Sequence, residues 1–202
     1  MKLYFSPGAC SLASHIALLE AGLPFVTERV DLGKKVTASG ADFRAINPKG
    51  YVPALELDDG SVLTEGPAIL QFIADQAAGA QLAPAAGTMG RYRVIEWLNF
   101  IGTELHKNIS PLFNPAASDD MKTAGRTGLA NRFGYVARAL EGRQYLAGEQ
   151  FSVADAYLFT VANWCGFVGF DLSDWPQLQA YQARIAARPA VQQALRDEGL
   201  VK

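Results

Sequence analysis

The chain has 202 residues, 50% of them hydrophobic, and its 18 basic and 20 acidic side chains leave a formal net charge of −2. That composition supplies a sizeable core or two modest domains, and its balanced charge lacks the basic face or arm that a nucleic-acid partner requires. Two cysteines, Cys10 and Cys165, are too few for a disulfide framework and point to a reducing compartment.

Residues 1–5 reach Ser6-Pro7-Gly8 before any apolar run of signal-peptide length. The longest uncharged apolar stretch, Ala156 to Phe170, falls short of the ~20 residues that span a bilayer. A soluble cytoplasmic protein without membrane or nucleic-acid partners is expected.

In chain order, residues 2–5 read as a strand and 11–21 as a helix, with Leu12, Ile16 and Leu19 on one stripe. Residues 25–30 read as a second strand, interrupted by Glu28 and Arg29, and the polar stretch from Asp31 to Gly40 has no clear period. Residues 54–57 and 61–63 are short strands joined by the turn Asp58-Asp59-Gly60. Thr64 then caps a helix with Glu65 in its first turn and Ile69, Phe72 and Ile73 on its apolar face. The order β-α-β, β-β-α predicts two helices on a four-stranded mixed sheet. The Ala, Gly and Pro-rich residues 77–88 mark a change of composition, with the linker placed at 81–86. It divides an α/β domain over 1–80 from an all-helical domain over 87–202, with helices at 89–107, 120–140, 152–168, 175–187 and 189–196.

Several positions carry chemistry. Cys10 stands where a helix begins, and unpaired N–H groups and the helix dipole lower a thiol pKa there. A small buried thiol is the alternative. Ala13 three residues on leaves no C-x-x-C pair, so dithiol redox chemistry is not expected, and single-thiol chemistry or a small thiol ligand beside Cys10 stays open. Pro53 opens a strand; a cis Val52–Pro53 bond would free the Val52 backbone to pair with an extended peptide-like ligand. A trans bond is expected by frequency, since cis forms are only ~5–6% of X–Pro bonds. At Thr64-Glu65-Gly66-Pro67, a helix N-terminus offers N–H groups to a carboxylate and Glu65 suits an ammonium, though plain capping explains the same residues. On the helix 89–107, Asn99, Thr103 and His106 make a polar stripe at 100° per residue. His15 lies five residues from Cys10 and points elsewhere. Two histidines without adjacent thiols or paired carboxylates make no metal site. Ser152 and Asp155 have capping-box spacing, and Cys165 belongs to an apolar helix.

Taken together, "SPGACSLASHIAL", "NPKGYVPALELDDGSVLTEGPAIL", "RYRVIEWLNFIGTELHK" and "FSVADAYLF" resemble the bacterial, beta-class glutathione S-transferases over essentially the whole chain. The resemblance implies a thioredoxin-like N-terminal domain, an all-α C-terminal domain and a homodimer. It implies that glutathione, as co-substrate, pairs with the Val52 backbone ahead of a cis Pro53. Glu65 and Gly66 would hold its γ-glutamyl head, and Lys35 would reach toward its glycyl carboxylate. Cys10, His106 and Lys107 would lie near the sulfur, and Asn99 would act across the dimer interface. The second substrate would be an apolar electrophile, with Phe113, Trp164 and Phe167 as candidate surface. The same site suits a glutathione-dependent single-thiol reductase or deglutathionylating activity through Cys10, or a glutathione-binding scaffold with little turnover. Phe5 stands where some relatives carry a tyrosine, Tyr4 should face the other side of its strand, and Ser6 and Ser11 are the remaining hydroxyls. Gly66 replaces a serine common outside the class.

Overall fold

The computed structural model describes residues 1–77 and 79–201. They form two compact units, residues 1–83 joined by the segment from Arg188 onward, and residues 84–187. The fold class is the expected one, a thioredoxin-like α/β part and an all-helical part, but the segment from Arg188 onward, expected in the helical domain over 87–202, groups with the α/β unit.

In the first unit the elements run β1 (Lys2–Phe5), α1 (Ser11–Ala21), β2 (Val26–Asp31), β3 (Val36–Thr37), α2 (Phe43–Ile46), β4 (Ala54–Glu56), β5 (Val62–Thr64) and α3 (Gly66–Gln76). The sheet order is β3-β2-β1-β4-β5, with β1 parallel to β2 and the other neighbours antiparallel. β1 is central because three of its four residues are apolar and buried, so both faces of the strand are covered. Tyr4 lies on one face with Val30, Phe43, Val52 and Ala54, its ring 5.8 Å from that of Phe43. Leu3 and Phe5 alternate to the other, where α1 and α3 pack against each other.

Five strands are present where four were expected. Asp31 accepts the amides of Gly33 and Lys34 at 2.9 and 3.0 Å, which turns the aperiodic stretch back on itself and lets Val36 and Thr37 pair with Asp31 and Val30. The short α2 was also not anticipated; Asp42 caps it through the Arg44 amide, 2.9 Å.

The second unit contains α4 (Met89–Phe100), a π-helical turn (Ile101–Leu105), α5 (His106–Phe113), α6 (Asp119–Ala139), α7 (Val153–Phe167) and α8 (Pro176–Ala186). The single helix expected over 89–107 is therefore interrupted and runs on to Phe113. Ile101, Leu105 and Ile109 are spaced four apart and all fully buried, and a wider turn holds that spacing on one face where a 3.6-residue turn drifts. α5 lies so close to α6 that a Cβ on Gly125 would sit 2.6 Å from the Asn108 carbonyl oxygen. α7 is apolar nearly all round and buried from Val153 to Ala162, as a helix at the centre of a unit must be. Its capping box forms as the spacing predicts: Asp155 accepts from the Ser152 amide and hydroxyl, both 2.8 Å. It also accepts from the Leu146 amide and the Tyr181 hydroxyl, both 2.9 Å. Cys165 is buried here, and its thiol is pushed up to about 12 by burial.

The last helix, α9 (Pro189–Asp197), packs on α1 rather than completing the helical unit. Behind it, buried Glu198 accepts from the Gly8 amide at 2.8 Å and pairs with His15 Nδ1 at 3.0 Å. Arg188 grips Glu20 with two parallel bonds of 2.6 and 2.8 Å. His15, which the sequence leaves without a role, thus fastens the end of the chain to its beginning.

Candidate functional site

In the α/β unit the site starts at Cys10, the residue before α1, whose own side chain makes no cap hydrogen bond. The loop in front of it is held from two sides. The Ser11 hydroxyl takes the Ser6 amide at 3.2 Å and returns a bond to the Ser6 carbonyl at 3.3 Å, and Gly8 is tied to Glu198. Ser11 is therefore committed to the loop and fully buried, which removes it from the candidate hydroxyls. The Cys10 thiol donates to the Val52 carbonyl oxygen at 3.2 Å.

A helix N-terminus should lower that thiol's pKa. Instead burial pushes it up to about 11, and the favourable backbone amides of Cys10 and Ser11 only partly offset this. Desolvation of the charged form outweighs the amides.

The Val52–Pro53 peptide bond is cis, against the trans form favoured by frequency and as the family resemblance implies. The Val52 amide makes no hydrogen bond among the described residues. A Cβ on Gly66 would lie 3.9 Å from Pro53 Cγ. Thiol, cis bond and the start of α3 thus follow one another through direct neighbours: Cys10 to Val52, Pro53 to Gly66.

Thr64 does not cap α3. It completes β5 opposite Ala54, and Glu65, with a left-handed φ of 71°, takes the cap position instead. The Glu65 carboxylate accepts from Lys49 Nζ and, at 2.7 Å, from the Tyr51 hydroxyl. Lys35, also left-handed at φ 59°, donates to the Gly50 carbonyl at 2.8 Å. Both Lys49 and Tyr51 hang on the buried Asn47, which takes the Lys49 amide at 3.2 Å and gives to the Tyr51 carbonyl at 2.7 Å. Asn47, Lys49 and Tyr51 were missed from sequence. An Asn two residues before a held amide, in Asn-Pro-Lys-Gly, is the turn signal that marks the first of them.

In the helical unit His106 opens α5. Its Nδ1 lies 2.9 Å from the Tyr157 hydroxyl, and its ring meets the Trp164 ring edge-on at 4.7 Å between centroids. Phe113 stands edge-on to the same Trp164 at 5.9 Å, whereas Phe167 is exposed and joins no ring pair among the described residues. Burial, with the charge of Lys107 beside it, lowers the His106 pKa to about 4, so the imidazole is neutral near pH 7. The polar stripe expected on α4 is split. The Asn99 carboxamide donates to Ile95 O at 3.1 Å and Thr103 to Asn99 O at 3.0 Å, but the π turn breaks the 100° count before His106. Asn99 and Lys107 are exposed. Among the described residues, no three His, Cys, Asp or Glu side chains gather as a metal cage, and no helix is long and apolar enough to cross a membrane.

Residues 8–76 match the glutathione S-transferase N-terminal domain and residues 100–189 the C-terminal domain. Over 200 residues, the chain is 48% identical to glutathione S-transferase GstA of Escherichia coli O157:H7, covering 99% of this chain and 100% of that one. It belongs to the bacterial glutathione S-transferases. The transferase superposes on the ternary complex of BphK, a bacterial GST, with a TM-score of 0.97 and 61% identity over 98% of this chain and 100% of that chain. A sphingomonad glutathione S-transferase complexed with glutathione follows at TM-score 0.96 and 50% identity, each chain covered in full at 100%. The cis proline and the α3 start described above are thus features of a transferase N-terminal unit.

Proposed function

We propose that this transferase joins glutathione to apolar electrophilic small molecules, with the tripeptide lying along the α/β unit from Glu65 to Lys35. One observation carries this reading: the run of neighbours Cys10, Val52, Pro53 and Gly66, which sets an unpaired Val52 amide between a thiol and a helix N-terminus. An extended cysteinyl unit uses such an amide as a further strand would. The α-carboxylate of its γ-glutamyl head suits the Gly66 end of α3, and the ammonium suits Glu65. Lys35 offers a cation for the glycyl carboxylate.

In the reaction the glutathione thiol gives its proton to solvent water, its sulfur forms a bond to the electrophilic carbon, and the leaving group departs with the electron pair of the bond that breaks. A free thiol is only a few per cent ionised at pH 7; shifting its pKa down by ~2 units asks for ~2.7 kcal/mol of preference for the thiolate. Neutral His106, its Nδ1 engaged by Tyr157, and Lys107 are assigned to the sulfur, with Cys10 as a neutral neighbour. The electrophile is assigned to the aromatic surface of Phe113 and Trp164. We place the enzyme in the cytoplasm as a homodimer, with exposed Asn99 acting across the subunit boundary.

Chromophoric-substrate turnover tests the assignment. His106→Ala should lower kcat/KM, and Glu65→Gln should raise the glutathione KM. Unimpaired rates in both variants refute the roles, and a monomer in sedimentation refutes the dimer. The single-thiol reductase reading needs a Cys10 thiolate, and the burial that lifts this thiol counts against it. A glutathione adduct on Cys10 that chases off with added thiol would favour it. A scaffold role would show as retention on glutathione resin without transfer.

A further inference from the structure

The cluster around Glu65 does more than the proposed reaction requires of it. One carboxylate oxygen is shared by two donors, the Lys49 ammonium and the Tyr51 hydroxyl. Lys49 is steadied further by the Thr64 hydroxyl at 3.0 Å and lies 6.0 Å from the centroid of the Tyr51 ring. Both donors spring from a loop pinned by the buried Asn47, so the arrangement is built from below rather than being two loose surface chains. The Glu65 backbone, at φ 71°, aims this carboxylate from a conformation that non-glycine residues seldom adopt. Lys49 responds to the pairing: its pKa is raised, chiefly by the hydrogen bond to Glu65.

We propose that Lys49, with Tyr51, is a built-in competitor for the ammonium of the ligand's γ-glutamyl head. This rests on reading Glu65 as the acceptor of that ammonium. A ligand ammonium arriving at Glu65 exchanges for one already there. Its apparent affinity is therefore the intrinsic one scaled by the fraction of molecules in which Lys49 has let go. The pair is about half exposed, with side-chain exposures of 43% and 52%, so solvent screens it and its hold is weak. The competition thus amounts to about two- to fivefold in affinity. It acts only on ligands that bring an ammonium, because the contacts assigned to Val52, Gly66 and Lys35 do not pass through Lys49.

Titration calorimetry on the intact enzyme decides it, using glutathione and its deaminated analogue, in which a glutaryl group replaces γ-glutamyl. Lys49→Met should bind glutathione about two- to fivefold more tightly than wild type, with no gain for the analogue. Lys49→Arg, which keeps the cation, should behave as wild type does. Unchanged or weaker glutathione binding in Lys49→Met overturns the proposal, as does an equal gain for both ligands. Wild-type enzyme that binds no glutathione overturns the functional reading beneath it instead, so the two failures are told apart.

Discussion

Alkylation of Cys10 measures how far burial has silenced its thiol. With a pKa of about 11, about one Cys10 in ten thousand is ionised at pH 7, against about three per cent of a free thiol at ~8.5. The thiolate is therefore ~300-fold scarcer, while its higher basicity returns a factor of ~10–18 in nucleophilicity. Cys10 should then react ~20–30-fold more slowly than free cysteine with iodoacetamide, before its partial burial slows it further. The rate should climb about tenfold per pH unit with no plateau below pH 9. Peptide-resolved mass spectrometry against a cysteine standard gives both quantities, and Cys165, at about 12, should be slower still. A plateau below pH 9, or a rate above that of free cysteine at pH 7, refutes the argument that desolvation beats the helix terminus. It would return Cys10 to the nucleophile's role that the reductase reading needs.

His106, held at about 4, takes up its proton at lower pH than in the unfolded chain. Between that value and ~6.5 the unfolded state binds more protons, so its share of stability is complete above ~6.5 and lost as pH falls toward 4. Urea midpoints at pH 4.5 and 7.5 should differ less in His106→Asn than in wild type. Asp155→Ala strands the buried Leu146 and Ser152 amides; at ~1–3 kcal/mol each, the loss should be at least ~2 kcal/mol by urea denaturation. A loss under ~1 kcal/mol refutes that account. Gly66→Ser meets only an ordinary 3.9 Å contact with Pro53. It should keep its melting temperature and, through one added hydroxyl, lower the glutathione KM by up to about fivefold with kcat unchanged.

What could be foreseen from the amino acids was local. Asp58-Asp59-Gly60 announces its hairpin because Gly60 supplies the left-handed φ of 83° that the turn uses. Ser152 and Asp155 announce their cap because both partners lie within three residues. Thr64 misled because its preference for a cap competed with a strand partner, Ala54, that only the folded sheet supplies. β3 and α2 likewise depend on turns and neighbours rather than on any period of their own. Cys10 was found by its place at the head of a helix, but its ionisation depends on burial that no spacing encodes. The His15–Glu198 pair spans 183 positions, and the π turn before His106 serves the four-residue spacing of Ile101, Leu105 and Ile109, which becomes visible as one face only once all three are seen to be buried.

The bond from Gly8 to Glu198 joins positions 190 residues apart, which bears on the order in which the protein is made. At ~5–20 residues per second, the amide that precedes Cys10 waits ~10–40 s on the ribosome for its acceptor. During that interval every residue of the helical unit, 84–187, is synthesised. The loop that leads into Cys10 is thus translated among the first residues and gains this bond only after Glu198 has been made.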